Sequence, residues 1–114
     1  MADCLFCKII NGEIPSDKVY ENEYVYAFRD ISPTAPVHIL VIPKKHISSL
    51  NDINEENSAV LAKIYEAIAV IAKEQGIAEK GYRVVSNCNE DGGQTVFHIH
   101  FHLIGGRPLT WPAG

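Results

Sequence analysis

Residues 98–104 read His98-Ile99-His100-Phe101-His102-Leu103-Ile104. Imidazoles take every second position, and large apolar residues fill the gaps. In an extended strand successive side chains point to opposite faces. His98, His100 and His102 therefore share one face, while Ile99, Phe101 and Leu103 share the other. Neighbouring imidazoles on that face stand about 6.6 Å apart at Cα, from a rise of roughly 3.3 Å per residue. The apolar face needs a partner, and Asn54–Gln75 supplies one. Val60, Ile64, Ile68 and Ile71 recur there at helical spacing, with Leu61 and Ala67 widening the stripe. Asp52 or Asn54 is placed to cap that helix, and Gly76 to end it. Packing the strand on the helix leaves the histidine face open to a ligand or another polar group.

Working outward, the remaining elements are short. Phe6–Asn11, stopped by Gly12, reads as a short helix. Lys18–Glu21 and Tyr24–Arg29 are rich in β-forming residues, with Asn22-Glu23 as the turn between them. Pro33 and Pro36 make the following segment a rigid loop. Val37–Ile42 is a branched apolar run stopped by Pro43, as suits a central strand covered on both faces. A turn at Gly81 leads to a strand over Tyr82–Asn87. Cys88–Thr95 is a Gly-rich loop running into the histidine stretch, which forms the last strand. Helices grouped rather than alternating with strands indicate an α+β domain with a mainly antiparallel sheet.

The chain of 114 residues is one domain's worth, residues 1–114, and its 46% hydrophobic content fills one ordinary core. A formal charge of −4 argues against a duplex nucleic-acid partner. No apolar run approaches the roughly 18 residues of a membrane span, so no membrane partner is expected. The N-terminal sequence lacks a signal peptide's layout, which makes the cytoplasm the expected location. Cys4, Cys7 and Cys88 are an odd set that gives no disulfide framework.

Three histidines on one face admit a merely polar strand, a metal site, or acyl or phosphoryl chemistry. Imidazole serves both as a metal ligand and as a nucleophile that titrates near neutral pH. The loop Asp91-Gly92-Gly93-Gln94-Thr95 favours the last. Gly92 and Gly93 let backbone N–H groups approach an anion, while Gln94 offers an amide and Thr95 a hydroxyl. An oxyanion would meet neutral donors and imidazoles at one place.

The stretch "HIHFHLI", together with "FRDISPTAPVHILVIPKKHI" and "DGGQTVFHIHFHLIGGRPLTWPAG", resembles the histidine triad (HIT) superfamily. Within it the chain is most similar to the Hint branch, the purine nucleoside phosphoramidases. The resemblance runs from Cys4 to Gly114. It implies the HIT-like fold, a five-stranded mainly antiparallel sheet with one long and one short helix. It also implies a homodimer joined through the helix and a sheet edge. By the same resemblance His100 is the nucleophile toward the α-phosphorus of a purine nucleotide, giving a nucleotidyl-histidine that water resolves to the nucleoside monophosphate. His102 donates to the phosphoryl oxygens, with Gln94 and Thr95 adding donors. Thr95 is a departure, since many relatives carry serine there. The nucleotide is expected against Phe28, Asp30 and Ile31, with Phe6, Ile9, Asn87 and Gly93 around it, Asp30 accepting the ribose hydroxyls. Trp111, in a tail that reaches across the dimer, is a specificity residue.

The resemblance also bears on Cys4-x-x-Cys7. Related proteins with this cysteine pair bind structural zinc through it, a histidine after the "PK" segment and the first triad histidine; here those are His46 and His98. His38 resembles a family histidine and reads as structural. Alternatives within the family are a dinucleoside polyphosphate hydrolase, disfavoured by the Trp-Pro tail, and a nucleotidylyltransferase, which carries glutamine where His102 stands. Outside enzymology stands a nucleotide-binding regulatory or scaffold protein with vestigial hydrolysis.

Overall fold

A computed structural model describes residues 3–114. Five strands form one antiparallel sheet: β1 (Lys18–Glu21), β2 (Val25–Arg29), β3 (Val37–Pro43), β4 (Tyr82–Val85) and β5 (Phe101–Gly105), in the order β1-β2-β3-β5-β4. The hairpin between β1 and β2 is closed by Asn22, whose side-chain oxygen accepts from the N–H groups of Tyr24 and Val25 at 2.8 and 2.9 Å. β3 is the middle strand. Ile39 and Val41 enter one apolar cluster and Leu40 and Ile42 another, so both faces are covered as its unbroken apolar run requires.

The long helix is α2 (Ala59–Glu74). It buries Ile64, Ala67, Ile68 and Ile71 against Ile99, Phe101 and Leu103, so the apolar side of the histidine stretch meets the expected partner. α2 starts later than the expected Asn54. The Asn54 side chain accepts from the N–H groups of Glu56 and Asn57 and holds a separate turn, a local alternative to helix. Asp52 instead closes a capping box with Ser49 on a 3-10 turn, Leu50–Asp52. At the far end Gly76, with φ +74°, donates to the carbonyl of Lys73 and Ile77 donates to that of Ala72, the paired bonds of a Schellman ending.

The short helix α1 (Leu5–Ile10) lies over the other sheet face and sends Phe6 and Ile9 into the second apolar cluster. Its N-cap is Cys4, whose sulfur accepts from the N–H of Cys7 at 3.2 Å. Two expectations need correction. The Gly-rich segment is not all loop, because Asn89–Gly92 forms a third helix, α3, ended by Gly93 at φ +82°. The last strand does not begin at His98. The carbonyl of His38 faces β2, where Asp30 donates to it, so the odd-numbered residues of β3 bond toward β5. After Val41 opposite Phe101, the next rung would fall on Pro43 opposite Ile99, and proline has no N–H. Ile99 donates to the carbonyl of Ile47 instead, and the ladder stops. The period-two alternation persists through the unpaired part.

Leu103 is fully buried between sheet and α2. Leu103→Ala is expected to cost about 2–5 kcal/mol in urea denaturation, the range for a truncated core leucine.

Candidate functional site

The histidine face is roofed rather than open. Phe6 of α1 stands edge-on to His98 and His100, with ring centroids 5.9 and 5.1 Å away. His98 and His100 are buried, and His102 is partly exposed. An imidazole so placed must have each nitrogen accounted for, and the neighbouring backbone decides which one carries the proton.

A carbonyl only accepts, so its partner nitrogen is an N–H. Nε2 of His98 lies 2.8 Å from the carbonyl of Pro43, and Nδ1 of His100 lies 2.8 Å from the carbonyl of His98. His98 is therefore the Nε2–H tautomer with a lone pair at Nδ1, and His100 is the Nδ1–H tautomer with a lone pair at Nε2. Burial lowers the pKa of His98 to about 4 and lowers that of His100, so the lone pairs persist at neutral pH. His102 is lowered as well, first by burial and then by the neighbouring His100 and His38. The carbonyl of His100 accepts from the hydroxyl of Ser86 at 3.1 Å, which steadies the segment on the β4 side.

The lone pair of His98 points into a second group of residues. Its Nδ1 is 3.3 Å from Sγ of Cys4, 3.5 Å from Sγ of Cys7 and 3.2 Å from Nδ1 of His46. Sγ of Cys7 is also 3.5 Å from Nδ1 of His46. The four ligand-type atoms lie within 4.8 Å of one another and could hold a metal ion. Two ring nitrogens facing at 3.2 Å require a proton or a cation between them. Burial and the adjacent Cys4 raise the Cys7 thiol to about 11, so a cation would have to displace that proton.

A second set of ligand-type atoms, on Asp30, His38 and His102, also converges. Here the N–H of Thr34 donates to Nδ1 of His38 at 3.1 Å, which leaves Nε2 of His38 protonated. That nitrogen then faces Nδ1 of His102 at 2.9 Å and Oδ2 of Asp30 at 3.4 Å. A metal would need the Nε2 lone pair, so this set reads as a hydrogen-bonded chain.

Phe28, Asp30, Ile31 and Ile9 line one cleft together with Pro15 and Ser16. Ile31 is 98% exposed at its mouth. Oδ1 of Asp30 accepts from the N–H of Ser32 at 2.8 Å, and its other oxygen faces His38. Phe6 does not line that cleft but meets its Phe28 through an edge contact at 5.5 Å. Thr95 lies elsewhere, on a groove with Cys4, Leu5, His46 and Phe97. Asn87 is partly buried against Gly92 of α3, one residue before the αL Gly93. The Gln94 side chain is buried and committed to the protein. Its amide donates to the carbonyls of Ser48 and Val96 at 2.8 and 3.1 Å, and its oxygen accepts from the N–H of Asn89 at 2.9 Å. In this geometry Gln94 tethers the loop and has no donor left for a substrate. Trp111 is 82% exposed, on a tail tied down by Arg83, which donates to the carbonyl of Thr110 at 2.8 Å. Sequence reasoning missed His38 and Ser86 as partners of the triad. The alternation of β3 does put His38 on the face of Leu40 and Ile42, but only the register brings it to His102.

The depressed pKa of His98 has a consequence for folding. An unfolded histidine takes up its proton near 6.5, while the folded one resists it down to about 4. The neutral-site contribution is complete above about 6.5 and is lost as pH falls through about 4. In chelator-treated protein the urea midpoint is expected to drop across that window, and the drop is expected to shrink in His98→Gln. A midpoint that stays flat there in the wild type contradicts the assignment.

The HIT domain family model matches residues 11–109. The purine nucleoside phosphoramidase of Escherichia coli K12 is 53% identical over 107 residues, which span 94% of this chain and 90% of that one. A HIT family hydrolase from Legionella pneumophila superposes with a TM-score of 0.96 at 54% identity, covering 98% of this chain and 100% of the other. The histidine triad nucleotide-binding protein of Candida albicans superposes with a TM-score of 0.81 at 36% identity, over 98% of this chain and 85% of its own. With the backbone-fixed histidines in place and the family model spanning most of its length, the chain belongs to the HIT domain family.

Proposed function

We propose that this chain hydrolyses the P–N bond of purine nucleoside 5′-phosphoramidates, with His100 as the nucleophile. The observation that carries the reading is the 2.8 Å bond from Nδ1–H of His100 to the carbonyl of His98. It leaves Nε2 unprotonated without placing a charged partner on the ring. The 53% identity to a phosphoramidase supports the choice of bond.

In the first step Nε2 of His100 forms a bond to phosphorus and the P–N bond breaks. The leaving nitrogen takes a proton from the weakly acidic donors around it and departs as the amine. In the second step the oxygen of water joins phosphorus as the Nε2–P bond breaks, and a proton from that water replaces the one given to the amine, which restores free His100 and releases the nucleoside monophosphate. His102 donates from Nε2 to a phosphoryl oxygen as charge builds there. In this reading the exposed Thr95 is assigned to the leaving-group side, and Gly93 and Asn87 border the phosphate. The purine nucleoside lies along Phe28, Ile31, Ile9 and Phe6, with Asp30 receiving its vicinal hydroxyls.

The four-residue cluster holds zinc in this reading. A tetrahedral Cys2His2 zinc with ordinary bond lengths separates sulfur from nitrogen by about 3.5 Å and the two nitrogens by about 3.3 Å. The sulfur–nitrogen distances of 3.3, 3.5 and 3.5 Å and the nitrogen–nitrogen distance of 3.2 Å match that set. Cys4, Cys7, His46 and His98 would be its four protein ligands, so the ion would tie α1 to the sheet and supply no chemistry of its own. The chain works as a homodimer. β4 is an edge strand with Tyr82 exposed, and α2 exposes Tyr65 and Val70. That leaves the exposed Trp111 to act at the partner's leaving-group side.

Purified protein is expected to release AMP from adenosine 5′-phosphoramidate, and His100→Asn to lower the rate by about a thousandfold or more while AMP still binds. Phosphorus NMR follows both. AMP release that survives in His100→Asn overturns the nucleophile assignment, and a wild type that releases none overturns the hydrolase reading. Elemental analysis is expected to find one zinc per chain, and none after Cys4→Ser with Cys7→Ser.

A further inference from the structure

The chain of contacts behind His102 has a direction. Thr34 presents a backbone N–H to Nδ1 of His38 at 3.1 Å, and a backbone N–H can only donate. Thr34 is itself held, because the guanidinium of Arg107 donates to its carbonyl at 2.9 Å. The single ring proton of neutral His38 is thus confined to Nε2. That atom stands 2.9 Å from Nδ1 of His102, so Nδ1 of His102 must accept. The proton of neutral His102 is forced onto its Nε2.

We propose that His38 is a positioning residue that fixes His102 as the Nε2–H tautomer, so that its proton faces the phosphoryl group. Without this partner a neutral imidazole can place its proton on either nitrogen, and the Nδ1–H form presents a lone pair to an anion. His38 is buried on the strand next to β5, so the arrangement exists before substrate arrives and costs no reorganisation during reaction. Oδ2 of Asp30, 3.4 Å from the same Nε2 of His38, is the weaker acceptor for that proton. When ribose hydroxyls engage Asp30, the N–H of His38 is left to His102 alone. His38 thereby links nucleoside recognition to the phosphoryl donor. The kinetic part of this inference rests on the phosphoramidase reading above, and the tautomer part does not.

The test is long-range proton–nitrogen correlation NMR on protein labelled at its histidine nitrogens, run beside kinetics with adenosine 5′-phosphoramidate. Wild-type His102 is expected to show a protonated Nε2 and an unprotonated Nδ1. In His38→Leu the His102 signals are expected to average over both tautomers, with His100 unchanged because the His98 carbonyl still holds it. There kcat is expected to fall about 10- to 100-fold, as for other outer partners that set a histidine tautomer, with KM nearly unchanged. His38→Gln, which keeps an N–H donor, is expected to recover part of kcat. A purely structural role would lower stability in both variants without moving the tautomer. A wild-type His102 protonated at Nδ1, or a His102 in His38→Leu that keeps its Nε2–H tautomer, overturns the proposal. Should the wild type release no AMP while the NMR result holds, it is the functional reading that fails and not the role of His38.

Discussion

Pro43 has no N–H to offer the rung opposite Ile99, and the site is assembled from what that missing donor sets free. Had the β3–β5 ladder run on, the carbonyl of Pro43 would have been committed to the sheet. Instead Nε2 of His98 takes it. Beyond the end of β4 the carbonyl of His98 has no strand to face, and Nδ1 of His100 takes that one. Buried carbonyls need donors, and buried imidazoles need their protons placed. Each requirement meets the other here. The extended segment keeps the alternation of a strand without its hydrogen bonding, so its imidazoles stay on one face while its backbone remains free to hold them.

His98 consequently belongs to two sites. Its side chain closes the Cys4, Cys7 and His46 group, and its carbonyl orients His100. A cation at the first site would fix the ring that the backbone of the second depends on. It would also anchor Cys4 at the N-cap of α1, the helix whose Phe6 packs edge-on against His100. The four-residue cluster and His100 are therefore mechanically continuous.

The layout of these parts was legible in the sequence to different depths. Period-two alternation at 98–104 and helical spacing in α2 specify which faces meet, because burial enforces them both. The unbroken run in β3 marks a middle strand for the same reason. The cysteine pair and the resemblance pointed to a cluster that the fold does bring together. What could not be read was anything set by register or by hydrogen bonding between distant segments. His38 shares a face with Leu40 whatever the pairing, but its meeting with His102 depends on Leu40 standing opposite His102. Gln94 sits in the right loop for a substrate donor, and only the carbonyls of Ser48 and Val96 reveal that its amide is taken. The late start of α2 turns on one asparagine side chain whose competition with the helix has no periodic signal.

The neutral character of this site follows from its choice of partners. A carboxylate beside a histidine would fix the tautomer too, but it would also raise the ring's pKa and favour imidazolium. A nucleophile then loses its lone pair. Backbone carbonyls fix His98 and His100 while adding no charge, and burial, by disfavouring the cation, outweighs the rise in pKa that those bonds cause. The carboxylate of Asp30 raises His100 only as the weakest of its influences and reaches His102 across the interposed His38. Distance and a neutral imidazole thus separate the Asp30 carboxylate from the Nε2 lone pair of His100. The same separation leaves His102 a hydrogen-bond donor rather than a strong acid. Such a site can stabilise a phosphoryl oxygen, but it has little power to expel a poor leaving group by proton transfer. The proposed P–N substrate fits that limit, because its own nitrogen becomes basic as it departs.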